Sequence, residues 1–413
     1  MATIAAKQGT SAALVLLLGA AVFLNYVDRT AVNVAAPLMK DALSLSAFEY
    51  GVAVSAFYWV YGPLQLVVGW LCDRFSVYRL LAWGVGLWAL ATLLSGFVAG
   101  FLSLVVLRTL LGIGGSLAFP ASSKIIAERV PAESRGMANA SVSIGIALGP
   151  AIGILAGGVI LETLGWRPVF ILFGLATLLW LLPWQASMRG MPAALTVDRP
   201  KVPLKPLLRT WSLWSMTIAH FASNYGFYFL ISWLPLYLVQ SRGLSIPQMT
   251  MLGTLAFAAQ AVAAFAFGAI SDKWTRTGRS EAAIRRSMMI AAQLVQAVAV
   301  LGILWAETNL ELAVWLCVAG MATGSLSLNI FAVAQMFAGR AAAGTWVGFQ
   351  NALGNFSGIF GPLITGAIVD FAGYGNAFIV CAAIVAAGGI WWIIGVPEIR
   401  QYDLAGGSEQ AFR

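Results

Sequence analysis

Twelve apolar stretches of similar length run along the chain, near residues 12–38, 48–71, 79–99, 102–126, 137–161 and 168–187, and again near 211–239, 249–270, 286–306, 311–338, 343–370 and 374–396. About 20 helical residues cross a hydrocarbon core about 30 Å thick, so each stretch predicts one transmembrane helix. Barrel strands would instead alternate polar and apolar positions over about ten residues. Short polar loops join most stretches. The segment 188–210 differs: Pro192, Pro200, Pro203 and Pro206 with five basic residues predict an exposed connector. The pattern therefore predicts an all-α membrane protein with twelve transmembrane helices in two six-helix halves. Residues 1–187 form an N-terminal bundle, 188–210 a cytoplasmic connector, 211–397 a C-terminal bundle and 398–413 a cytoplasmic tail.

Composition agrees. The chain is 60% hydrophobic and 10% charged, whereas a soluble domain is about 25% charged, which excludes a soluble enzyme. Its net charge of +8 is accounted for by topology. Nineteen of the 24 Lys and Arg residues fall at the N-terminus, in the even-numbered loops or at the C-terminus. Only Lys40, Arg167 and Arg242 fall in the opposite loops, leaving Arg29 and Arg108 inside spans. Positive loops stay in the cytoplasm, so both termini are expected there, in a multi-pass protein of the inner membrane. No nucleic-acid partner is needed to explain the charge. The run 11–24 after Lys7 has the profile of a signal peptide, yet its removal would take away part of the first helix. Cys72, Cys317 and Cys381 lie in apolar runs and predict core thiols.

The two halves repeat one another, as in a transporter built from duplicated units. Gly69-Trp70-Leu71-Cys72-Asp73-Arg74 recurs as Gly268-Ala269-Ile270-Ser271-Asp272-Lys273, and the stretch 158–170 is echoed by 366–378. With Arg79 following the first copy, these residues resemble the loop signature of the major facilitator superfamily. Arg108 with Gly112, the Gly149-Pro150 pattern of the fifth helix and Gly165-Trp166-Arg167 also match, so the resemblance covers nearly the whole chain. It implies the major facilitator fold, with Gly69, Asp73, Arg74, Arg79, Gly268, Asp272 and Lys273 as a conformational latch. Asn25-Tyr26-Val27-Asp28-Arg29 and the aromatic run 225–237 are similar to the narrower anion:cation symporter family, whose members carry sugar acids, aromatic acids, phosphate, glutamate or sialic acid. That family often places a glutamate seven residues after the fourth-helix arginine. Gly115 stands there in this chain.

An ionisable group inside a span costs roughly 2.5–3.5 kcal/mol on insertion scales, which marks Asp28, Arg29 and Arg108 as functional candidates. Arg29 is expected to bind a substrate carboxylate through its planar fork. Arg108 is a substrate-site candidate as well, expected to contact substrate, to steady Asp28 or to lend field, the alternative being a static Asp28–Arg108 ion pair that fixes helix packing. Asp28 is the candidate for the coupled proton, since protonation makes a buried carboxylate neutral, and the family resemblance assigns it the same role. Tyr26, Tyr61, Tyr225, Asn329 and Asn355 are further substrate-cavity candidates. His220, the only histidine, predicts a core or interface residue before a proton relay. The four-residue glycine spacing 145, 149, 153 and 157 predicts a close-packed seam, either static or rocking.

Together these features predict a secondary transporter that imports a small organic anion by proton symport through alternating access, working as a monomer with no cofactor and no metal. With Gly115 in place of an acid, the expectation is nearly electroneutral uptake of a monocarboxylate with one proton, and room beside Gly115 for an apolar substrate body. Two alternatives stand. An efflux antiporter of the same fold is favoured by the Gly-Pro pattern but opposed by Asp28-Arg29. A non-transporting sensor is opposed by the short stretch after the last helix. No P-loop, H-E-x-x-H or C-x-x-C motif points to an enzyme.

Overall fold

A computed structural model describes residues 2–130, 135–188, 207–402 and 409–411. Its helices are α1 (Ala2–Ala42), α2 (Ala47–Arg74), α3 (Val77–Ser95), α4 (Phe101–Gly115), α5 (Ala118–Arg129), α6 (Arg135–Leu164) and α7 (Trp166–Met188). They continue as α8 (Trp211–Leu236), α9 (Ile246–Arg276), α10 (Glu281–Trp305), α11 (Asn309–Gly354) and α12 (Ser357–Ile394). Local chemistry sets several of their ends. Ser46 begins α2 with a reciprocal capping box to Glu49, and Thr308 begins α11 in the same way with Glu311.

These helices do not map one to one onto the predicted spans. The fourth span is split into α4 and α5 at Ser116 and Leu117. Pro120, in the first turn of α5, lacks an N–H and crowds the carbonyl four residues earlier, so it suits a helix start and not a helix interior. α11 has 46 residues, too long for one crossing at about 1.5 Å per residue, and its helical path is interrupted at Gly339 (φ 62°). α12 is interrupted at Gly373 (φ 78°), and Gly165 between α6 and α7 has φ 86°. Gly165 and Gly373 occupy corresponding places in the sequence repeat. Both adopt the left-handed region that a side chain resists, so each half uses a glycine to pass from its fifth to its sixth crossing. Nine stretches of the described residues are long and apolar enough to cross a membrane. One of them, Ala342–Ile394, holds two crossings around Gly373, and α2 and α8 carry the rest.

The chain forms two compact units. The first comprises Met1–Asp198 with Ser232–Thr254, the second Arg199–Ile231 with Leu255–Arg413. In the first, α6 lies closely along α1. A Cβ at Gly145 would sit 2.9 Å from the Gly19 carbonyl oxygen, one at Gly149 2.5 Å from Tyr26 Cβ, and one at Gly153 2.2 Å from Thr30 Oγ1. The glycine seam is thus the bed on which the site helix rests, inside one unit, and α6 runs unbroken through Pro150. The segment 232–254 is tied to the same unit by the Tyr50 hydroxyl, which donates to the Ser232 carbonyl at 2.9 Å, and by the Trp233 ring set edge-on to Tyr50.

In the second unit the core gathers Leu213, Met216, Phe337, Trp346 and Trp392, all fully buried, with Phe337 and Trp346 stacked 5.9 Å apart. After the last crossing a short antiparallel pair forms, β1 (Arg400–Tyr402) with β2 (Glu409–Ala411), in the register Arg400 to Ala411. Outward faces carry large apolar side chains such as Leu16, Trp83, Leu182 and Phe371. That is the surface of a multi-pass membrane protein, which meets lipid in place of water.

Candidate functional site

The charged residues of α1 point in two directions. A helix turns about 100° per residue, so neighbours Asp28 and Arg29 face different elements. Asp28, 1% exposed, faces α3 and α7: its Oδ2 accepts from Trp88 Nε1 at 3.1 Å and from Thr177 Oγ1 at 2.8 Å, while Oδ1 has no partner. Arg29, 9% exposed, lies instead among ring faces. Its Cζ is 4.8 Å from the Tyr26 ring centre, 4.5 Å from Phe57 and 4.3 Å from Tyr61. Desolvated cation–π contacts of this kind are worth about 2 kcal/mol or more. They surround the guanidinium with rings, and its Nε is buried without a partner among the described residues.

Arg108 on α4, 4% exposed, has its Cζ 5.5 Å from the same Phe57 ring. Phe57 is thus near both arginines, and Gly112 lets α2 and α4 approach: a Cβ at Gly112 would clash with the Phe57 carbonyl oxygen. Tyr58 and Tyr61 complete an aromatic cluster, their ring centres 4.8 and 4.9 Å from that of Phe57. Among the described residues no ion pair joins either arginine to a carboxylate, so the Asp28–Arg108 pair considered from the sequence does not form. The recess expected at Gly115 is also occupied. A Cβ there would lie 3.1 Å from Asn25 Nδ2 and 3.5 Å from Phe57 Cε2, so a neighbouring amide and ring fill the place of the missing acid.

The second unit holds the other candidates. Tyr228 on α8 donates its hydroxyl to Asn355 Oδ1, and Asn355 Nδ2 donates to the Asn351 carbonyl at 2.7 Å, where the eleventh crossing breaks between α11 and α12. Tyr225 is buried 3.6 Å from the Cβ position of Gly361. Asn329 lies near the second copy of the repeated loop motif: Arg285 donates to its Oδ1 at 3.1 Å, pairs with Glu281 at 2.7 Å and lies 3.9 Å from Asp272. Gly268 packs against Leu328, and Lys273 lies in the last turn of α9. In the first copy, Arg74 and Arg79 are exposed at the ends of α2 and α3, while Gly69 and Asp73 lie outside the residues whose side chains are described. Lys124 of α5 donates to the Cys72 carbonyl at the end of α2 at 2.7 Å.

His220 is held in the core of its unit. Gln350 Oε1 accepts from Trp346 Nε1 at 3.3 Å, which turns Gln350 Nε2 toward His220 Nδ1 at 3.4 Å. Nδ1 is then the acceptor and the ring proton sits on Nε2. Among the described residues no three His, Cys, Asp or Glu side chains cluster as metal ligands. Phe57, Trp88 and Thr177 were not singled out from the sequence, and Asn25 and Tyr228 entered only as parts of the motifs 25–29 and 225–237. Asn25 carried a signal, since it precedes Arg29 by one helical turn; Trp88 and Thr177 sit in apolar runs that carried none.

Comparison with known proteins fits this architecture. The Major Facilitator Superfamily model matches residues 18–284 and 280–410. The chain is 28% identical to a hexuronate transporter of Bacillus subtilis, over 90% of this chain and 91% of that protein. It is 28% identical to a probable sulfoacetate transporter of Cupriavidus necator, over 89% and 90% of the two chains. To a probable chloroplastic anion transporter 3 of Arabidopsis thaliana the identity is 27%, over 89% of this chain and 76% of that one. The fold matches the crystal structure of a bacterial homolog of the human lysosomal transporter Spinster, inward-facing and unoccupied, with a TM-score of 0.76, 19% identity and coverage of 94% and 95%. With a family model spanning nearly the whole chain and twelve crossings in two repeated halves, the protein belongs to the Major Facilitator Superfamily.

Proposed function

We propose that the protein imports a small organic anion, a carboxylate, together with protons by alternating access. The observation that carries this reading is Arg29: a buried guanidinium ringed by Tyr26, Phe57 and Tyr61 with no carboxylate paired to it among the described residues. A cation costs several kcal/mol to bury unless an anion meets it, and a substrate carboxylate presents the two oxygens that its fork fits. Asp28, next in the chain but facing α3 and α7, takes up and releases the proton, and its Trp88 and Thr177 donors fix the carboxyl on the same helix as the anion ligand. Named relatives that carry hexuronate, sulfoacetate and other anions support the substrate class. The loop clusters around Asp73 and Asp272 latch the two conformations. The protein works as a monomer in the inner membrane with both termini in the cytoplasm.

Uptake of organic acids into proteoliposomes under an imposed pH gradient tests the assignment. Asp28→Asn is expected to abolish uphill uptake while sparing counterflow, because exchange does not need the proton to leave. Arg29→Lys is expected to lower uptake by about tenfold or more, since an ammonium cannot copy the planar fork. Wild-type uptake in either variant overturns the roles, and uptake indifferent to a collapsed pH gradient overturns symport.

A further inference from the structure

The polar groups lining the Phe57 cluster lack an acid. Asn25, 2% exposed and one turn before Arg29, has its Nδ2 buried without a partner beside Gly115. The Nε atoms of Arg29 and Arg108 are buried and unpartnered as well. Both guanidinium carbons lie within 5.5 Å of the centre of one phenyl ring. Asp28, which a charge count along the sequence places with them, is turned to Trp88 and Thr177. Gly115 supplies no side chain. Among the described residues, two cations and a buried, unpartnered amide donor therefore share one aromatic cluster without an internal anion.

We propose that the substrate is a short organic dianion, with one acidic group on Arg29, the other on Arg108, and the Asn25 amide donating to one of them. This rests on the reading of Arg29 as the anion ligand. A monoanion would leave one buried guanidinium uncompensated, the costly state for an ion out of water. A dianion neutralises both and gives Asn25 its acceptor, so the monocarboxylate expected from the sequence gives way to a substrate with two charges. The change has a consequence for energetics. With Asp28 as the single proton carrier, a dianion and one proton move one net negative charge inward, so an inside-negative membrane potential opposes uptake.

Purified full-length protein tests this with matched pairs of probes: ethane-1,2-disulfonate against ethanesulfonate, whose charges do not change with pH, and succinate against butyrate. At pH 7.5 each dianion is expected to raise the melting temperature at a concentration about tenfold lower than its monoanion, a difference of about 1.4 kcal/mol. In proteoliposomes with the pH gradient held fixed, succinate uptake is expected to slow several-fold when the lumen is made negative. Asn25→Asp adds one negative charge to the cluster without adding volume, and is expected to shift the preference about tenfold toward monoanions. Monoanions binding as tightly as dianions, or an inside-negative potential that leaves uptake unchanged or speeds it, overturn the proposal without help from any variant. If monoanions are taken up and Arg29→Lys stops them, the transport reading survives while this proposal falls. If neither class binds, both fall.

Discussion

Three rings, those of Tyr26, Phe57 and Tyr61, stand 4.8, 4.5 and 4.3 Å from the guanidinium carbon of Arg29, and these cation–π contacts hold the charge inside the bundle. Asp28 is held by the opposite means, through donors to one carboxylate oxygen. Trp88 and Thr177 fix the orientation of that carboxyl group. Trp88→Phe and Thr177→Val each remove one of its donors and are each expected to lower uphill uptake several-fold while counterflow persists. Wild-type uphill uptake in both variants would show that the proton resides elsewhere. His220 has no such freedom, because Gln350, itself oriented by Trp346, occupies Nδ1 and the Gly354 backbone closes on the ring.

At the scale of elements, the position of α1 depends on the absence of side chains along α6. A Cβ at Gly149 would lie 2.5 Å from Tyr26 Cβ and 3.1 Å from the Phe23 carbonyl oxygen, both in the turns that carry the site. Gly149→Val is therefore expected to destabilise the protein by about 1–3 kcal/mol through overpacking, seen as a lower Tm in detergent. Gly348 on α11 has nothing within 4 Å of its Cβ position. Gly348→Ala is expected to stabilise by about 0.5–1 kcal/mol, the ordinary gain of removing glycine from a helix interior. Equal Tm values for Gly149→Val and wild type would show that α6 and α1 do not meet along this line. The glycine spacing was legible in the sequence. That it meets α1, within one unit, came only from the identity of its partner helix.

At the scale of the whole molecule, the charge bias of the loops and the doubled motifs describe one architecture. The expected topology has a direct test in the connector, of which residues 189–206 lie outside the described residues. With Cys72, Cys317 and Cys381 replaced, Leu195→Cys is expected to resist an impermeant thiol reagent added to intact cells and to react once the membrane is opened. Labelling in intact cells would reverse the orientation. Membership of a transporter superfamily also means that the protein is not an enzyme.

The sequence by itself determined the twelve crossings, their grouping into two repeated halves, the reversal glycines and the three ionisable residues inside spans. Each of these is a local property: apolar length sets a crossing, a positive φ selects glycine, and a charge among apolar residues stands out wherever it lies. Tertiary structure alone decided what those charges face. A helix that is apolar on most sides carries little record of its rotation, because lipid and protein neighbours both accept the same side chains. Only the packing of α1 among its neighbours turns Asp28 toward Trp88 and Thr177 and Arg29 toward Phe57. For the same reason it was packing, not spacing, that set Arg108 beside the same ring, brought Asn25 to Gly115 and joined Asn329 to Arg285.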